Sequence, residues 1–177
     1  MSSESFTMCR DAIPLFLYGT LRPGGRNYML LADYVIETTP ARVWGELRHL
    51  PAGYPGMNVP EAKILARGTA RPEDDADRCH TTEIPDCGPA AGDWGWVLGD
   101  IVLLKNPRHV MPLLDHYEGF QPASKKESLY ERVLVGLLTD KGPTVAWTYI
   151  KAQATGDIPI ASGHWNSEEF SAAPRSS

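Results

Sequence analysis

Cysteine is scarce: Cys9, Cys79 and Cys87 are the three in a chain of 177 residues. An odd, small number makes no disulfide framework. Cys79 and Cys87 could pair, but reduced thiols are the expected state. Basic clusters are missing too. Lys and Arg number 17 against 22 Asp and Glu, for a net charge of −5. Nucleic-acid binding draws on Lys and Arg neutralising phosphates, so no nucleic-acid partner is expected. No apolar run approaches the roughly 18–20 residues of a membrane helix. The opening MSSESFTMCRDAIP has no apolar core of signal-peptide length, and no Asn-x-Ser/Thr acceptor occurs. The expected address is cytoplasmic, with no membrane partner.

Several chemical signatures are absent as well. Neither GxGxxG nor GxxxxGKS/T occurs, so no nucleotide site is indicated. There is no GxSxG elbow, and Ser162-Gly163-His164 lacks the strand–turn–helix context such a nucleophile needs. The histidines and cysteines show none of the paired short spacings of structural zinc. The reading is of a protein without metal or cofactor.

What remains is one domain's worth of chain with ordinary globular composition. Residues 1–13 read as a loose arm, 14–166 as the domain and 167–177 as a fraying tail. Leu15-Phe16-Leu17-Tyr18 reads as a buried strand running into Gly19-Thr20-Leu21-Arg22-Pro23-Gly24-Gly25. Asn27 to Tyr34 suits a short helix. Ala41 to Leu50 and Trp96 to Leu104 read as strands, with a turn cluster from Pro51 to Asn58. Between the two strands, 68–95 is polar, broken by Pro and Gly, and long for a loop in a compact domain. Asn106-Pro107 starts a helix that places Val110, Leu113, Leu114 and Tyr117 on one face. Pro112 moves its regular part toward that residue. Tyr130 to Thr139 and Thr144 to Ile150 form a hairpin about Lys141-Gly142-Pro143. Strands outnumber helices and one pair is antiparallel, which makes the class α+β with a mixed, curled sheet.

Two segments could carry chemistry. The Tyr18–Arg22 loop bunches backbone N–H groups where a strand ends, and such a loop can hold a carboxylate or amide oxygen. It can equally be a tight turn where only glycine fits. In Leu114-Asp115-His116-Tyr117-Glu118-Gly119-Phe120, Glu118 stands at a helix C-terminus between aromatic neighbours. Both surroundings raise a carboxyl toward the range useful for a general base. A solvated Glu before a capping glycine has the same local sequence. Tyr130 and Tyr149, near strand ends, either point into a pocket or cap the core. The five tryptophans read as core.

At these residues the sequence resembles the gamma-glutamyl cyclotransferase-like superfamily. Tyr18-Gly19-Thr20-Leu21 is similar to its YGTL opening, and Leu114-Asp115-His116-Tyr117-Glu118-Gly119 to its LDxxEG segment. Trp44-Gly45-Glu46-Leu47 and Gly53-Tyr54-Pro55 lie between them, and Tyr130-x-Arg132 with Val133 and Val135 and then Ala146 to Ile150 come after, all in family order. The resemblance spans about Phe16 to Tyr149. It implies a compact mixed β-barrel-like sheet flanked by helices, with one cavity. It implies an enzyme of the acyltransferase or lyase kind that turns a γ-glutamyl amide into 5-oxoproline and a free amine. Glu118 would be its acid/base, and Tyr18, Gly19, Thr20, Leu21, Tyr130 and Tyr149 would bind the substrate. The partner it implies is a small molecule; a monomer or weak homodimer is expected. The 68–95 segment is longer than the pattern and is expected near the pocket mouth, changing the substrate. Two other readings stay open: a divergent lyase or isomerase using Glu118 on another small molecule, and a binding module without turnover.

Overall fold

The computed structural model describes residues 11–151 and 158–168. Cys9, residues 1–10 of the expected arm and 169–177 of the expected tail lie outside them. Strand β1 (Ala12–Leu17) is buried at all six positions, so it starts inside the stretch read as an arm. Two 3₁₀ turns, Tyr28–Leu30 and Ala32–Tyr34, replace the single short helix expected there. Strand β2 (Val35–His49) is far longer than the predicted Ala41–Leu50. Its second half turns Ala41, Val43, Gly45 and Leu47 inward at period two. Short β3 (Pro55–Asn58) and β4 (Ile64–Arg67) follow. Then come α1 (Pro72–Thr81), β5 (Gly95–Lys105) and α2 (Pro107–Glu118). The chain continues through β6 (Tyr130–Thr139), β7 (Gly142–Lys151) and β8 (Ile158–Pro159).

Five strands close a barrel in the order β2-β5-β1-β7-β6 and back to β2. Closure rests on Ala41↔Thr139 and Arg42↔Leu138. Only β1–β7 is parallel in the ring; the other four pairings are antiparallel. The class is therefore α+β, as read. Outside the ring, β3 and β8 extend the end of β2, and β4 flanks β6. The β6–β7 hairpin turns at Asp140-Lys141, one residue before the expected turn. Thr139 fixes this: its hydroxyl donates to the Gly142 carbonyl (3.0 Å) and accepts from the Lys141 N–H (3.1 Å).

One apolar cluster fills the barrel with Phe16, Val43, Met57, Val97, Val133 and Ala146 among others. A second packs α1 and α2 against the outside through Ala76, Cys79, Val110, Met111 and Leu114, facing Ile13, Leu15 and Trp147. Strand β1 contributes to both, which is why no position of it is exposed.

The two helices correct the sequence reading. The segment 68–95 contains α1, not a continuous loop. Pro72 opens it, Glu73, Asp74 and Asp75 favour its positive end, and Ala76 and Cys79 bury its inner face. Helix α2 begins at Pro107 despite Pro112. Both Pro112 and Arg108 lie on the exposed side, where water can take the Arg108 carbonyl left without a donor. The buried face of α2 is Pro107, Val110, Met111 and Leu114, while Leu113 and Tyr117 are about half exposed. That rotation matters: Asp115 and Glu118 continue the inward face at helical spacing.

Candidate active site

At the end of β1 the chain leaves the barrel through Tyr18 and turns sharply. Arg22 N–H donates to the Gly19 carbonyl (3.1 Å), and Asn27 N–H to the Thr20 carbonyl (3.1 Å). Among the described residues, no hydrogen bond outside the strands and helices uses the N–H of Gly19, Thr20 or Leu21. Three consecutive donors are thus left at one place. Gly19 is required by contact: a Cβ there would stand 2.6 Å from Pro55 Cγ. Pro55 in turn is fastened by the Tyr130 hydroxyl, which donates to its carbonyl at 2.7 Å.

Helix α2 ends against this loop. Gly119 takes a left-handed conformation (φ 65), and Phe120 N–H returns to the Asp115 carbonyl at 2.8 Å, the usual way of satisfying the last carbonyls. Tyr117 ties helix to loop. Its hydroxyl accepts from Asn27 Nδ2 (2.7 Å) and lies 3.3 Å from Thr20 Oγ1.

Between loop and helix end lies a pocket of about 260 Å³. Tyr18, Gly19, Thr20, Leu21, Glu118, Tyr130 and Tyr149 all line it, so the residues expected as acid/base and substrate-binding meet in one cavity. Arg26, Tyr54, Pro55, Tyr117 and Leu129 complete much of the wall. The Glu118 carboxyl has no hydrogen-bond partner among the described residues. Burial, and then the charge of Asp115, push its pKa up from 4.5 to about 7.

Behind the pocket is a charged group. Arg132, fully buried, sends Nη1 to Asp75 Oδ2 (2.7 Å) and Nε to Asp115 Oδ1 (3.0 Å). Its Nη2 reaches Asp115 Oδ2 (3.3 Å) and the Thr69 carbonyl (2.9 Å). The rings of Phe120 and Trp147 flank the guanidinium. Burial alone would lower the Arg132 pKa, but Tyr149, Asp115 and Asp75 outweigh it and hold it above its ordinary value. The Tyr149 hydroxyl donates to Asp115 Oδ1 at 2.7 Å. Burial raises the Asp115 carboxyl, and Arg132 and Tyr149 offset part of that rise. The phenols of Tyr18, Tyr130 and Tyr149 are pushed up, each chiefly by burial, so they act as donors. Tyr18 gives its proton to the Tyr149 carbonyl at 2.7 Å.

Sequence reasoning missed Asp115, Arg132 and Asp75 as parts of the site. Asp115 was findable, three residues before Glu118 on one helix. Arg132 gave a weaker sign, as a cation in an otherwise apolar strand. Asp75 gave none. The segment 68–95 was expected at the pocket mouth, yet no residue of it lines this pocket. Its first part, with α1, lies behind the Arg132 cluster, while Pro85 to Ala90 lie against Trp44, Lys63 and Gly136.

A cysteine nucleophile finds little support. Cys79 and Cys87 are free and buried. Burial pushes the Cys79 thiol up to about 12 and raises Cys87 as well, away from the thiolate a nucleophile needs. Among the described residues, no group of three or more His, Cys, Asp or Glu could hold a metal ion. None of the described helices is long and apolar enough to cross a membrane.

The gamma-glutamyl cyclotransferase, AIG2-like family matches residues 15–78 and 60–167. The chain belongs to this family. No curated protein matches it. Among solved structures, YkqA from Bacillus subtilis is 22% identical with a TM-score of 0.55. The match covers 87% of this chain but 39% of YkqA. An uncharacterised protein from Pyrococcus horikoshii is 12% identical, TM-score 0.50, over 90% of this chain and 94% of that one. An AIG2-like protein from Mus musculus is 15% identical, TM-score 0.49, over 92% and 84%. At such identities the first two of these structures speak to the fold alone.

Proposed function

We propose that this family member cyclises γ-glutamyl amides, releasing 5-oxoproline and a free amine, with Glu118 as general acid/base. The observation that carries this reading is a carboxyl with a pKa near neutrality in the same pocket as the Gly19–Leu21 N–H groups, all without a hydrogen-bond partner among the described residues.

The reaction needs no enzyme nucleophile. The substrate's α-amino group attacks its own γ-carbonyl, and a C–N bond closes the five-membered ring. Glu118 takes the proton that the nitrogen must lose. The oxyanion that develops is stabilised by donors such as the Gly19–Leu21 N–H groups. Collapse breaks the bond to the leaving nitrogen, and Glu118 hands its proton there. A carboxyl near pKa 7 is populated in both forms near neutral pH, which suits one group to both transfers. Holding the chain curled supplies proximity, worth up to ~7–11 kcal/mol in favourable cases. Arg26 is exposed at the rim and, among the described residues, has no ion pair. It offers a cation to an anionic group of the substrate.

The test is product detection by mass spectrometry after incubation with a panel of γ-glutamyl dipeptides and γ-glutamyl amines. Release of 5-oxoproline with one equivalent of amine is expected. Its absence across the panel would sink the proposal and leave the family and the fold standing.

A further inference from the structure

Helix α1 supplies no residue to the pocket wall, yet one of its side chains is linked to the acid/base by a chain of hydrogen bonds. Asp75 is 1% exposed, and its carboxylate accepts from Arg132 at 2.7 Å. Thr69 holds the same carboxylate with its N–H (2.9 Å) and its hydroxyl (3.1 Å). Trp147 Nε1 donates to the Asp75 carbonyl (2.9 Å), fastening this point of α1 to β7. With one edge of the guanidinium taken by Asp75, the other edge meets both oxygens of Asp115. Asp115 Oδ1 receives Tyr149 as well. Asp115 lies one helical turn before Glu118 and is the charge that bears on it.

The charge balance gives the arrangement its meaning. One buried cation serves two carboxylates, so Asp75, Arg132 and Asp115 together carry a net −1. Were Arg132 to face Asp115 alone, the pair would be neutral and Glu118 would feel a more positive surrounding. Asp75 thus shares the cation that holds Asp115, and Asp115 is the charge acting on Glu118.

We propose that Asp75 is a positioning residue for Glu118: by sharing Arg132 it fixes the Asp115 carboxylate beside the acid/base, so helix α1 acts on proton transfer and not on substrate binding. This rests on Glu118 being the acid/base. The groups facing Glu118 across the pocket are Tyr18 after β1, Arg26 in the loop, Tyr54, Tyr130 on β6 and Tyr149 on β7. Asp115 and Tyr117 lie on its own helix. Arg26 is exposed, and the buried phenols stay neutral, so Asp115 is the partly buried charge that can move it.

The test is Asp75→Asn, which keeps the shape and removes the charge. Expected are a kcat lowered about tenfold with KM within about twofold, and an acidic limb of the kcat/KM profile moved to lower pH. Carbon NMR of the Glu118 carboxyl should show the same downward move without any substrate. Asp75→Glu, which restores the charge, should return both toward wild type. A lower melting temperature with an unmoved titration and unmoved kcat would overturn the proposal, as would a raised KM with kcat retained. If Asp75→Asn does not fold, Thr69→Val loosens the carboxylate and leaves its charge in place. It should lower kcat by a smaller factor at constant KM, and an unchanged kcat would overturn the proposal. Full turnover by Glu118→Gln would instead remove the reading of Glu118 on which this rests.

Discussion

A carboxyl whose pKa is raised by burial costs the fold stability when it ionises. Glu118 moves from 4.5 to about 7, so its neutral form is favoured in the folded chain. The stability linked to that shift is present below pH 4.5 and lost as pH rises through 7. By pH 8 the loss is on the order of 3 kcal/mol. Glu118→Gln cannot ionise and should escape it. Thermal melts at pH 5 and pH 8 should show the variant gaining on wild type as pH rises. An equal difference at both pH values would mean that Glu118 titrates normally. At this scale the sequence was most informative. All seven residues taken from the loop, the helix end and the two tyrosine positions line one pocket. The cause of the shift was misplaced, since burial and Asp115 act where the helix end and aromatic neighbours were expected to. Phe120 stands over Arg132 instead.

Among the elements, α2 carries a visible flaw. Pro112 leaves the Arg108 carbonyl without its helical donor, on a face where no packing compensates. An interior proline costs about 3 kcal/mol relative to alanine, and its restriction of the unfolded chain returns up to about 1. Pro112→Ala should therefore stabilise by about 2 kcal/mol in urea unfolding. It should leave turnover unchanged, because the pocket face lies opposite. Destabilisation would show that a bend at Pro112 is needed to seat Glu118. The main strands and α2 were legible because hydrophobic period and turn residues coincide in them. Strands β3, β4 and β8 are two to four residues long, too short to display a period. Helix α1 was missed because only Ala76 and Cys79 give it an apolar face amid acidic residues, and its stability comes from packing on the barrel.

In the whole molecule, β1 is the shared wall. It divides the barrel core from the cluster under the helices, and its last residues become the pocket loop. Closure of the ring onto β2 involves residues about a hundred positions apart, and no local pattern could show it. Where β1 meets β5, the strands approach so closely that a Cβ on Gly99 would run into the Leu17 carbonyl oxygen and the Phe16 ring. Gly99→Ala should destabilise by about 2–3 kcal/mol through forced separation of these strands. Unfolding should stay a single transition followed alike by circular dichroism and tryptophan fluorescence. Two separated transitions would mean that the helical layer and the barrel do not share one cooperative core.

The central claim is that Glu118 moves the proton in the pocket shared with the Gly19–Leu21 loop. It is tested most directly by the rate of 5-oxoproline formation at pH 7 for wild type and Glu118→Gln, with far-ultraviolet circular dichroism confirming that the variant folds. The account predicts a loss of about 10²–10⁴-fold in kcat with KM nearly unchanged. A folded Glu118→Gln that turns over at the wild-type rate would contradict it.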